Sequence, residues 1–401
     1  MATIHSLAEA NKLTVPALLR GVVEVIRKKG ARDLFAQLPF KAFEGTTYDF
    51  NYEATVASGA SVGDPFSTTD LVEGVGTRTR LAIPTRMLAR NADTPKISIL
   101  GKSNINSQRA ADIMAAAKKL AFDFQEQYVR GMGYDNHANG LDYWVDYWNS
   151  VGFTNQDFDA AGATFSAGLL YDLLLRTKYD GFDVIYADNK TTVEFMELLA
   201  DLPGNTPQYI MDERFGRPVL TFNGIPWITL DIIAEDKVLT GATVGGTGTT
   251  VTKAAADNGF GGFSQADVNK TITDGTDSDT IASVNFSTGV ATLTTGGEFS
   301  DGTAASLTLQ GADTSGQADE RVIYAVKYDT EDGFTSVYHQ NPDGPGADTG
   351  EFLGTMAGFS ARDLGELQGP NIRRTRMDWF GNFVSHNPYA IARLRNFVFP
   401  A

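Results

Sequence analysis

The chain contains no cysteine. Disulfides, thiolate nucleophiles and thiolate metal sites are excluded, whatever the compartment. Histidine is nearly as scarce, with only His5, His137, His339 and His386. None lies three or four residues from another, so a His-x-x-His metal pair is missing, and none stands in a motif beside a nucleophile. Positive charge is in deficit as well: 33 Lys and Arg face 49 Asp and Glu, for a formal charge of −16. A chain that gripped phosphates would carry the opposite balance, which argues against sequence-specific nucleic-acid binding. Long apolar runs are also wanting. The most apolar stretch near the start, VPALLRGVVEVIRKKG (Val15 to Gly30), is broken by Arg20 and Glu24. Its Leu18, Leu19, Val22, Val23, Val25 and Ile26 share a helical face, which reads as an amphipathic arm and not as a signal peptide or membrane span. The expectation is a protein made and kept in the cytoplasm.

Catalytic and ligand motifs fail in the same way. The Gly245 to Thr250 stretch, GGTGTT, lacks the Lys-Ser/Thr ending of a phosphate loop. DGTDSD, Asp274 to Asp279, spaces carboxylates plausibly for Ca²⁺ but lacks the glycine and distal glutamate of the helix-loop-helix calcium pattern. Paired carboxylates are too common here to single out a general acid and base. The expectation is a protein that is not an enzyme, with no catalytic residue, cofactor or metal.

What is present is 401 residues with 42% apolar content, enough for a buried core in two or three domains. From Gly45 the pattern alternates. TTYDFNYEATV puts Tyr48, Phe50 and Tyr52 on one side of a strand, and TRTRLAIP puts Arg78 and Arg80 on one side of another. Between them lies a stretch rich in Gly, Ser, Thr and Asp, so the whole reads as a long two-stranded arm. An isolated hairpin is marginal in water and must lie on something, either its own domain or a neighbour. The clearest helix follows, capped by Ser107 and ended by Gly131 in a left-handed conformation. Ala110, Ile113, Met114, Ala117, Leu120, Ala121, Phe124 and Tyr128 form its expected buried stripe. From Phe158 to Leu230 helix and strand alternate, and Asn223-Gly224 marks a type I′ hairpin. A second hairpin is expected between RVIYAVKY and GFTSVYH, through Asp332 and Gly333.

Between those hairpins, over about 237–320, the composition turns rich in Gly, Thr, Ala and Asp, with no Trp or Tyr. Alternation around Ser287-Thr288-Gly289 suggests a small β module inserted into an α+β pattern, with disorder as the alternative for its Gly-Thr-rich beginning. The chain closes on TRMDWFGNFVSHNPYAIARLRNF, Thr375 to Phe397, which is crowded with arginine and aromatic side chains.

The order of these parts resembles the major capsid proteins of tailed bacteriophages, with the Hong Kong 97-like fold. GLDYWVD, DVIYADNKTTVEFMELL, LTFNGIPWITLD and VIYAVKYDTEDGFTSVYH share the family's texture of hydrophobic and turn residues. The resemblance implies an α+β chain with an N-terminal arm over 1–43 and an extended loop over 44–92. It implies a peripheral domain over 93–157 and 366–401, with a spine helix at 107–130. An axial domain would take 158–236 and 321–365, with an inserted β-rich domain at 237–320 on its outer surface. It further implies a shell of pentamers and hexamers around DNA, with a separate scaffolding protein, a portal protein and possibly a decoration protein as partners, and no membrane. Such a protein needs edges and no active site. Candidate intersubunit contacts are Asp64, Asp70, Glu73, Arg78, Arg80, Arg374 and Arg376. Arg373, Arg393 and Arg395 would pair with carboxylates of the same or a neighbouring subunit, and Trp379, Phe380 and Phe383 would be core. Some family members weld subunits through a lysine in the extended loop, but no lysine occurs here between Lys41 and Lys96. The competing readings are an encapsulin shell and a secreted adhesin or carbohydrate-binding protein. The absence of a visible signal peptide argues against the adhesin.

Overall fold

The structure, a computed structural model, describes residues 34, 37–55, 77–96, 108–134, 136–177, 181–201, 208–212, 217–246, 248–253, 261–299, 302–303, 306–311, 321–339, 351–356, 359–366 and 371–399. Helices and strands alternate as an α+β arrangement around three larger sheets and one two-stranded ribbon.

The first sheet has six strands: β1 (Phe40–Phe43), β4 (Arg86–Pro95), β19 (Phe334–His339), β20 (Glu351–Met356), β21 (Phe359–Glu366) and β22 (Ile372–Ser385). Its organiser is β22, whose 14 residues pair with β4, β21 and β19. Across it lies α1 (Gln108–Arg130). Ile113, Ala116, Leu120 and Phe124 repeat at three and four residues and meet Ala92, Met377, Trp379 and Phe383. The buried stripe is narrower than expected, because Ala110, Met114 and Ala117 are exposed. Gly131 also differs from its expected role. Its φ is not positive; instead, an added Cβ would sit 2.3 Å from the Ala138 carbonyl oxygen and 2.4 Å from that of Gln127. The residue is glycine because two backbones close on it.

The second sheet has the order β5–β23–β18–β6–β9–β8–β7. Its strands are β5 (Asp157–Thr164), β6 (Val184–Ala187), β7 (Gln208–Asp212), β8 (Arg217–Phe222), β9 (Ile225–Thr229), β18 (Val322–Val326) and β23 (Ile391–Val398). Alternate residues face opposite ways. Ile185, Ala187, Ile323, Ala325, Ala392 and Leu394 pack with Phe165, Leu170 and Leu173 around α3 (Ala167–Leu174) and with Phe195 and Leu199 of α4 (Asn189–Asp201). Val184, Tyr186, Val322, Tyr324 and Val326 face the other core, shared with α1, with α2 (Leu141–Ser150) and with the first sheet. Ser166 caps α3 through the Leu169 N–H, and Asn223 and Gly224 both have positive φ between β8 and β9, as a type I′ turn requires.

Two pairings depart from the sequence reading. RVIYAVKY and GFTSVYH do not form a hairpin: β18 lies between β6 and β23, while β19 pairs with β1 and β22. Both edges of β18 are occupied, so the next strand must find a partner elsewhere. The expected membership of 321–365 and 366–401 changes accordingly. Residues of β19, β20 and β21 join β22 in the first sheet, while β23 belongs to the second. The chain crosses between sheets at the Asn387-Pro388 break. Trp379 and Phe383 are core as expected, whereas Phe380 is exposed on the opposite face of β22.

The third sheet is built wholly within 237–309: β10 (Lys237–Thr240), β11 (Thr243–Gly245), β12 (Thr250–Thr252), β13 (Thr271–Thr273), β14 (Ser278–Asn285), β15 (Val290–Leu293), β16 (Gly302–Thr303) and β17 (Ser306–Leu309). Among the described residues, its core of Leu239, Val251, Phe263, Ile272, Ile281, Leu293, Phe299 and Leu307 draws on none outside that range. The Gly-Thr-rich beginning is therefore folded where it is described. The flanking strands β9 and β18 lie in one sheet, separated by β6. The ribbon pairs β2 (Thr47–Thr55) with β3 (Thr77–Pro84); residues 56–76 lie outside the described residues.

Candidate functional site: an exposed ribbon on a buried ionic frame

The ribbon's aromatic face rests on its own chain. Tyr52 meets Trp148 edge-on at 4.9 Å, Phe50 lies 6.2 Å from Trp144, and the Tyr48 hydroxyl shares a 2.9 Å hydrogen bond with His386 Nε2. The opposite face carries Arg78 and Arg80, which point to solvent. Arg80 is 71% exposed and reaches Asp49 of the same ribbon at 2.5 Å.

Beneath the ribbon, α2 holds two aspartates one turn apart, Asp142 and Asp146, beside the buried Trp144 and Trp148. Both carboxylates bind Arg393 of β23, whose side chain is 0% exposed. Its Nη1 donates to Asp142 Oδ1 at 3.1 Å, Nη2 to Asp146 Oδ1 at 2.6 Å, and Nε to Asp157 Oδ1 of β5 at 2.9 Å. Tyr324 of β18 donates to Asp142 at 2.6 Å, and Arg395 adds a second cation on Asp157 at 3.2 Å. Burial pushes the Asp146 carboxyl up to about 6, with Arg393 pulling it down and Asp142 and Asp157 pushing it up. At Asp157 burial also pushes upward, but Arg393 and Arg395 outweigh it and hold the group below the ordinary carboxylate range. The carboxylates and the Arg393 guanidinium here are engaged with each other, while Arg395 Nη1 and Trp148 Nε1 have no hydrogen-bond partner among the described residues. The arrangement joins α2, β5, β18 and β23 and presents no nucleophile with an adjacent base.

The inserted sheet attaches through a second buried cluster. Asp267 accepts from Lys237 Nζ at 2.8 and 2.9 Å and from Lys270 Nζ at 3.0 Å. Burial pushes the Asp267 carboxyl upward, but the two ammonium groups dominate and hold it far below its usual range. Arg130, at the end of α1, donates to the backbone carbonyls of Glu235 and Asp236. Phe286 leaves the insertion's own core to pack on Tyr134 and Tyr143. The insertion thus sits against the end of α1 and against α2, rather than only on the outer surface of the 158–236 region. A third buried pair, Asp188 with Arg321, joins the N-terminus of α4 to the start of β18.

The remaining sequence-derived positions fall in several places. Arg374 makes a bidentate bond with Asp93 of β4, both contacts at 2.6 Å, and Arg376 lies 3.1 Å from Asp378 and 3.3 Å from Met87 Sδ. Arg373 and Arg109 converge on Asp363 at 2.7 and 2.5 Å. These arginines are bound within the subunit. Asp64, Asp70 and Glu73 lie outside the described residues, as does His5. His137 pairs with Gln127 at 2.8 Å. Asp274 caps its own turn through the Thr276 and Asp277 N–H groups. Among the described residues no group of three His, Asp or Glu is placed to hold a metal ion. No helix among them is long and apolar enough to cross a membrane. The Arg393 cluster was not foreseen as a unit, although two aspartates at helical spacing inside a tryptophan stripe were its local sign.

No family model matches the sequence, and no curated protein matches it. Solved structures do. The holo-SrpI encapsulin complex from Synechococcus elongatus PCC 7942 is similar over 92% of this chain and 90% of that one, with 12% identity and a TM-score of 0.53. The cyanophage A-1(L) capsid asymmetric unit is similar over 92% and 94%, with 11% identity and a TM-score of 0.53. At such identities the likeness is one of fold, and the chain has the Hong Kong 97-like fold.

Proposed function

We propose that the chain is the major capsid protein of a tailed bacteriophage, self-assembling as pentamers and hexamers into an icosahedral shell that encloses DNA. The observation that carries the reading is the fold, shared over nearly the full length with a phage capsid chain. The ribbon supports it: two strands wide, with an arginine-bearing face in solvent, it pairs with no further strand among the described residues, and such edges suit a neighbouring copy. The role is structural and not catalytic. The division into arm, extended loop, peripheral, axial and inserted domains follows the same reading, with the strand memberships given above. Asp64, Asp70, Glu73, Arg78 and Arg80 are the proposed intersubunit contacts. Arg374 and Arg376 stiffen β22 against β4 and serve a neighbour only indirectly. Scaffolding, portal and decoration proteins are the proposed partners, with assembly in the host cytoplasm and residence in the virion.

An encapsulin shell is the second reading, because that fold matches equally well. Purified particles distinguish the two by their contents. Co-purification of DNA or a scaffolding protein fits the capsid reading, and a co-purified enzyme replaces it with the encapsulin.

A further inference from the structure

Large apolar side chains stand in solvent on the α3 side of the second sheet. Tyr171 and Leu175 lie one turn apart, and Leu175, 78% exposed, is the most exposed large apolar residue among the described ones. With Leu174, Phe182 and Ile225 they line a hollow of about 330 Å³ whose walls are chiefly apolar. The helices covering this face, α3 and α4, carry Asp172, Glu194, Glu197 and Asp201 against Lys190 alone. A segment that filled the hollow would therefore be apolar on one side and basic on the other.

Val15–Gly30, outside the described residues, has that character. Its sequence sets Leu18, Leu19, Val22, Val23, Val25 and Ile26 on one helical face and adds Arg20, Arg27, Lys28 and Lys29 against Glu24. Residues 56–76 do not fit, because they carry Asp64, Asp70 and Glu73 with no base.

Reach decides whose arm it is. The first described residue, Leu34, packs with Val184 and Tyr186 on the opposite face of the second sheet, whereas Leu174, Phe182 and Ile225 belong to the core beneath α3 and α4. Four residues carry Gly30 at most about 14 Å from Leu34. A sheet with a helix layer on it is about 20 Å deep, and the chain must also pass round its edge.

We propose that the hollow beside α3 is the seat of the basic amphipathic arm, Val15–Gly30, of a second copy, an inference that rests on the shell reading above. The apolar stripe fills the hollow, and Asp172, beside Tyr171, faces the arm's cations and fixes its direction.

The chain has no cysteine, so introduced ones report without background. Particles are assembled from a mixture of Leu175→Cys chains with Leu19→Cys, Val22→Cys or Ile26→Cys chains, oxidised mildly, and the joined peptides identified by mass spectrometry. A disulfide between Leu175→Cys and at least one stripe position is expected. Glu24→Cys, on the opposite side of the same helix and so about 10 Å further away, should give severalfold less. Shells in which no stripe position joins to Leu175→Cys, or in which Glu24→Cys joins equally well, overturn the proposal and leave the shell reading standing. A chain that stays monomeric overturns both. Should a substituted chain fail to assemble, hydrogen exchange of the unaltered chain decides: peptides covering Val15–Gly30 and Ala167–Leu175 should slow together on assembly, and no slowing in either overturns the proposal.

Discussion

Replacing Arg393 with methionine keeps an unbranched apolar stem and removes the one cation shared by three carboxylates. Asp142, Asp146 and Asp157 are at most 5% exposed, so water cannot take the place of the guanidinium. Breaking a buried ion pair from one side costs about 3–5 kcal/mol, and the stranded group here is three carboxylates, one of them also held by Arg395. We expect a loss of about 4 kcal/mol at pH 7.5, at the middle of that range. The loss should shrink toward pH 5.5, because without Arg393 the carboxylates take up protons more readily and protonation removes their repulsion. Denaturant unfolding followed by tryptophan fluorescence reads this directly, since Trp144 and Trp148 flank the two aspartates and are buried. Arg393→Lys should recover only part of the loss, because an ammonium cannot reproduce a fork that donates to three partners. A loss under about 1 kcal/mol at pH 7.5, or no relief on acidification, would refute the view of this cluster as the frame of the subunit.

Asp267→Asn should strand Lys237 and Lys270, with a loss of about 3–5 kcal/mol localised to the insertion; unchanged exchange protection of β13 and β17 in that variant would contradict it. Since Asp267 is depressed, its contribution is present above the ordinary carboxylate range and disappears only in strong acid, which an acid titration of insertion unfolding checks. Shortening residues 56–74 should leave a soluble folded subunit that assembles poorly, and efficient assembly of the shortened chain would end the clasp reading. Replacing Val238–Asp319 with a Gly-Ser turn should spare the remainder, which loses Ala266 from its core and the Phe286 contacts with Tyr134 and Tyr143; an insoluble product would make the insertion integral. Mature particles boiled in detergent should give one band near 43.2 kDa, and a ladder of multimers would overturn the absence of covalent crosslinks.

Local pattern was readable and long-range pairing was not. The course of α1, the Ser166 cap and the Asn223-Gly224 turn each depend on residues within a few positions of one another, so the sequence displays them directly. The insertion stood out because its composition changes where its private core begins. The partners of β19 and β23 are different in kind. Alternation identifies a strand but says nothing about which edge is vacant, and β18 lacks a vacancy only because β6 and β23 fill both sides. The ionic frame was hidden for a similar reason. Arg393 was one of several arginines expected to pair with carboxylates of the same or a neighbouring subunit, and its actual partners Asp142 and Asp146 lie more than 200 residues earlier in the chain. The same distance kept Arg374 from being read as the partner of Asp93.

The central claim is that this chain assembles as a shell. Electron microscopy of the purified full-length protein, with class averages of whatever particles form, tests it most directly. The account predicts closed shells, or separate capsomers with five- and six-fold symmetry. A preparation of monomers alone, or of assemblies lacking both symmetries, would contradict it.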